Sequence, residues 1–145
     1  MLDTGVDEFY NVKAGNEKRD IQYLEAAADQ LEFIAQMGQG REDEFITYML
    51  DDLKELPNTF QSLKDAWRNG NNEKMEDIAI DPWKDRFPKI FKSLVVDRNN
   101  NWIQQIEAMM ETKEVELILF GALHLVGEEG VLSLLKKRGY AIENL

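Results

Sequence analysis

Apolar residues recur along this chain with two different periods, and the change from one to the other divides it. From residue 26 to residue 110 the spacing is helical. Ala28, Leu31, Ile34 and Ala35 share one face of a segment at 26–37, and Gly38 and Gly40 supply its stop. Residues 41–56 predict an amphipathic helix with Phe45, Met49, Leu50, Leu53 and Leu56 on one side and acids on the other. Pro57 either kinks one long helix or opens a second, since it removes a backbone donor and disfavours helix at Leu56. Phe60, Leu63 and Trp67 continue the apolar face to Arg68. Further helices are expected at 73–79, around 89–94, and from about residue 97, where Ile103, Ile106, Met109 and Met110 are apolar and Asp97 or an asparagine can cap.

The second period appears at Val115 to Phe120, an almost unbroken apolar run that predicts a short strand buried on both faces. A glycine-rich turn and a last helix follow. Glu128 and Glu129 are expected in the first turn of that helix, Lys136, Lys137 and Arg138 in its last, and Gly139 at the C′ position. Ile21 to Leu24 leans towards strand, and Tyr140 to Asn144 suits an edge strand. The fold class is therefore α+β and helix-dominated: one domain over 1–145, six or seven helices, and a small sheet of two or three short strands. Such a sheet leaves an uncovered apolar edge, which favours self-association.

Composition narrows the partners. Seventeen Lys and Arg against 28 Asp and Glu give a net charge of −11, which repels phosphate backbones and argues against nucleic acid. No apolar run approaches the roughly 18 residues of a membrane span, and the first residues lack the pattern of a signal peptide. With no cysteine and one histidine, a metal site would draw most of its ligands from carboxylates, water or another chain.

The single histidine, His124, is the leading candidate for chemistry. It falls at the end of the expected strand, after Gly121 and near the acidic pair at 128 and 129, and a neutral imidazole there binds a metal or shuttles a proton. Against this stands the ordinary reading of a lone histidine in an apolar segment, which is structural. Glu25 follows one possible strand and precedes a helix, so it too falls at a strand end. Arg98 could clamp a carboxylate or phosphate. The glycines at 121, 127 and 130 lack the spacing of a phosphate loop and read as a tight turn.

The stretch from Leu117 through Gly121-Ala-Leu-His124, Leu125-Val-Gly127 and on to Gly139-Tyr140 closely resembles the C-terminal signature of the TraB/GumN family. Gly5-Val-Asp7 with Phe9, Tyr23-Leu-Glu25 with Gln30-Leu31, Trp67 with Gly70, and Arg98-Asn99 with Trp102 and Ile106 resemble earlier family segments in the same order. Relatives of the Tiki proteins in this family are metal-dependent proteases, with two G-x-x-H motifs and a glutamate implicated in metal binding and catalysis. The resemblance implies His124 as a metal ligand or catalytic histidine, Glu25 as its acidic partner and Arg98 as a cation facing the site. It implies a divalent ion (Mn, Co or Zn) in a longer parent, none held tightly by this chain, and a peptide or protein substrate. The first G-x-x-H has no match here. The chain accordingly reads as the C-terminal part of a family domain, inactive in isolation, pairing with an N-terminal part or with another copy. An exported or lipid-anchored parent is the corresponding expectation for location. The alternative is a non-catalytic regulatory or peptide-binding module.

Overall fold

The computed structural model describes residues 5–35 and 37–143, so Asn144 of the expected last strand lies outside the described residues. Helix α1 spans Val6–Asn16, α2 Ala27–Ala35, α3 Glu42–Arg68, α4 Asn72–Ala79 and α5 Asp81–Arg86. Helix α6, Pro88–Phe91, continues through a π-helical turn at Lys92–Asp97 into α7, Arg98–Met110. A 3₁₀ turn at Ala122–His124 and α8, Val131–Lys137, complete the described elements.

The expected sheet is absent: among the described residues there is no strand. All three segments read as strands are extended or irregular, yet they all send side chains to the same place. Leu24, Ile118, Phe120, Tyr140 and Ile142 pack on a cluster of Trp102, Ile103, Ile106, Val131 and Leu135. The period-2 alternation survives without the ladder. Ile118 and Phe120 turn inward, while Val115 is 97% exposed and Leu117 and Leu119 also face out. A strand apolar on both sides needs a neighbour at its edge to hold it. None of the described backbone hydrogen bonds engages residues 115–120, so one face of the run is left to solvent.

Helix α3 resolves the Pro57 question. It runs unbroken through the proline for 27 residues. Its apolar residues form two stripes. Phe45 and Tyr48 meet Trp83 and Phe87 in edge-on aromatic contacts, and Leu63 and Ala66 pack on Met75, Ile80, Phe91 and Val126. Ile46, Leu50, Leu53, Phe60 and Trp67 form the other stripe and point to solvent. The chain exposes 10823 Å², where a compact monomer of 16.8 kDa exposes roughly 7,600 Å². None of the described helices is long and apolar enough to cross a membrane.

The end of α8 follows its sequence signals. Gly139 has φ +93° at C′, its N–H donates to the Lys136 carbonyl, and Tyr140 N–H donates to the Leu135 carbonyl. That is the paired bonding of a Schellman stop, with Tyr140 and Leu135 in one apolar cluster. The start differs. The helix begins at Val131 with Gly130 as N-cap, so Glu128 and Glu129 lie in the turn before it rather than in its first turn. Glu129 instead pairs with Lys84 at 3.5 Å. Gly130 is required for space: a Cβ there would sit 2.4 Å from the Val126 carbonyl oxygen, a backbone atom that cannot swing away.

Candidate functional site

Four turns of sequence converge on Trp102. It is buried on α7, one turn after Arg98. Arg98 itself follows directly on the π turn, a widened turn that redirects the side chains after it and recurs at functional sites. Its guanidinium lies 4.9 Å from the Trp102 ring and 5.7 Å from the Phe33 ring. Its Nη1 donates to the Leu94 carbonyl at 3.2 Å, satisfying a carbonyl of the π turn.

Glu25 closes this arrangement from far along the chain. Arg98 Nε donates to Glu25 Oε2 at 3.0 Å and Nη2 to Oε1 at 2.5 Å, a two-pronged pair between side chains only 13% and 21% exposed. Two local devices hold Glu25 there. Gln105 on α7 donates to the Leu24 carbonyl at 2.8 Å, and the Asp29 carboxylate accepts from Ala26 N–H, capping α2. Glu25, Arg98, Trp102, Phe33, Asp29 and Gln105 border a cleft of about 350 Å³.

His124 also meets Trp102, with ring centroids 4.6 Å apart. The G-x-x-H spacing has a direct structural meaning: His124 N–H donates to the Gly121 carbonyl at 2.9 Å, closing the 3₁₀ turn. Gly121 itself has φ −59° and ψ 129°, which any residue can adopt, so this position does not require the special backbone freedom of glycine. Leu123 packs on the Met75–Phe91 cluster and Leu125 on the Trp102–Ile106 cluster, so the histidine between them is pinned where the two cores meet.

Asn99 completes the set. It is fully buried, its Oδ1 lies 2.7 Å from His124 Nδ1, and its Nδ2 donates to the Glu129 carbonyl at 2.7 Å and more weakly to that of His124 at 3.4 Å. Motif spacing does not single out Asn99 as a site residue. The signal lies in helical register: Asn99 shares a face with Ile103 and Ile106, and an amide on an apolar face needs a dedicated partner.

The structure thus brings Glu25, Arg98 and His124 around one tryptophan, although they are far apart in sequence. Burial, helped by the Arg98 charge and opposed by Glu25, lowers the His124 pKa from 6.5 to about 4, so the imidazole is neutral at pH 7. The unfolded histidine takes a proton near pH 6.5 and the folded one near 4, so stability from this group is complete above 6.5 and is lost as pH falls towards 4. Urea denaturation between pH 7 and pH 4 should show this loss in the native chain and a shallower one in His124→Gln. The difference between the two proteins isolates the imidazole from the carboxylates, among them Glu76, whose pKa burial raises.

Of these residues, His124 and Glu25 are of the type that ligates a metal ion. A first-row ion takes about four nitrogen, oxygen or sulfur ligands. Both Glu25 oxygens are engaged by Arg98, and the described residues contain no cluster of three His, Cys, Asp or Glu side chains. The model of the TraB/PrgY/gumN family matches the chain over residues 1–144. None of the curated proteins and none of the solved structures matches it.

Proposed function

Because the chain belongs to the TraB/PrgY/gumN family, we propose that it contributes His124, Arg98 and Glu25 to a hydrolytic site of the metal-dependent peptidase kind, completed by groups from another polypeptide segment. The observation that carries this reading is the convergence on Trp102 of a neutral imidazole and a partly buried ion pair beside an open cleft. In that role the imidazole accepts or passes a proton without first having to lose one of its own. Arg98 holds the carboxylate of Glu25 in one orientation and adds its charge to the burial that keeps His124 neutral. The test is titration of the full-length protein with Mn²⁺, Co²⁺ or Zn²⁺ beside its His124→Ala variant. Affinity should fall at least tenfold in the variant; equal binding would remove His124 from the ligand set.

A second reading is favoured by the surface. The excess over a compact monomer is roughly 3,000 Å², larger than a standard protein–protein interface of roughly 1,600 Å². On this reading the chain is a protein- or peptide-binding module, engaged through the outer stripe of α3 and the free edge at 115–120, or associating with itself there. A protein that binds no metal with or without His124, yet runs as a dimer in light scattering, would favour it.

A further inference from the structure

We propose that Asn99 is a positioning residue that locks His124 in the Nδ1–H tautomer and leaves the Nε2 lone pair as the working atom of the site. The Asn99 amide has one acceptor oxygen and one donor nitrogen. Its nitrogen is committed, since it faces the Glu129 carbonyl at 2.7 Å and the His124 carbonyl at 3.4 Å, and a carbonyl can only accept. Turning the amide round would set its oxygen against both carbonyls. The oxygen therefore faces His124 Nδ1 at 2.7 Å, and a hydrogen bond across that gap needs the proton on the histidine.

In a neutral imidazole the other nitrogen is then bare. Nε2 makes no hydrogen bond to the described residues, yet no buried side-chain nitrogen or oxygen among them lacks a partner. Nε2 is thus the nitrogen that solvent reaches. Asn99 is fully enclosed on α7, and Glu129 sits just before α8, so one amide fixes the ring and ties its loop to two helices.

The tautomer stands on geometry alone; its value as a ligand or base rests on the hydrolytic reading above. The chain has one histidine, so a long-range ¹H–¹⁵N spectrum of the uniformly labelled protein contains a single imidazole. At pH 7.5 we expect Nδ1 to resonate as a protonated nitrogen and Nε2 as an unprotonated one. In Asn99→Leu the difference between the two nitrogens should shrink or reverse, because the acceptor is gone. In Asn99→Asp it should persist, because a carboxylate still accepts. An Nε2–H pattern in the unsubstituted protein overturns the proposal whether or not either variant folds. So does an unchanged spectrum in a folded Asn99→Leu. Neither result bears on the metal titration, which can fail while the tautomer stands.

Discussion

Trp102→Ala is expected to destabilise the fold by about 3–5 kcal/mol, the usual cost of deleting a buried large aromatic. Trp102 is 5% exposed and joins α7 to α8, to the run at 115–120 and to the 3₁₀ turn. It packs with Ile103 and Ile106 of its own helix and with Val131 and Leu135 of α8. Its ring lies 5.6 Å from that of Phe120 and 4.6 Å from that of His124, with the Arg98 charge over its face. Truncation therefore removes hydrophobic burial, aromatic contact and a cation–π interaction together. Small domains have only about 5–15 kcal/mol in total, so the variant should be largely unfolded at modest urea. Urea titration followed by circular dichroism measures it directly. A loss under about 1 kcal/mol would mean that the α7–α8 cluster does not unfold with the rest of the chain.

Removing Glu25 tests a different kind of interaction. In Glu25→Ala the Arg98 guanidinium keeps its aromatic neighbours and the Leu94 carbonyl but loses both carboxylate bonds. A charge left unpaired in a position 13% exposed should cost about 2–4 kcal/mol, between a charged hydrogen bond and a fully buried pair. Most of that penalty comes from stranding the arginine. The double variant Glu25→Ala/Arg98→Met should accordingly be more stable than Glu25→Ala alone. If the two losses simply add, the pair contributes little and the geometry is incidental. A second readout comes from His124. Glu25 is the group that raises the proton affinity of the imidazole, so its removal should lower the His124 pKa further, as a proton titration of the one imidazole would show.

The grouping of residues around Trp102 is more legible in the sequence than the fold. Glu25, Arg98 and His124 stand out as charged or titratable residues beside turn signals, and those are local features. Gly139 could be placed at the end of α8 for the same reason, since a Schellman stop depends on a handful of adjacent residues. The expected sheet does not form among the described residues because strand formation is not local. Val115 to Phe120 has the composition of a strand, but a ladder needs an edge to pair with, and composition carries no information on whether one is near. The outer stripe of α3 misleads similarly: amphipathic spacing in Leu50 and Leu53 says that the helix has an apolar face, not that anything covers it. Asn99 was hidden because asparagine next to a helix start reads most simply as a cap, whereas the helix passes straight through it.

That continuity gives the π turn at Lys92–Asp97 a genetic consequence. A π turn amounts to one surplus residue in an α-helix, and each residue turns the helix by about 100°. Deleting a single residue between 92 and 97 would let the segment relax to ordinary α pitch. Because the wider turn absorbs the surplus residue, Arg98, Asn99 and Trp102 would keep their facing relative to α6 and would still meet Glu25 and His124. A three-base deletion there would thus leave the site assembled. One residue removed between Asn99 and Trp102 would instead turn Trp102, Ile103 and Ile106 by about 100° relative to Arg98 and take the site apart.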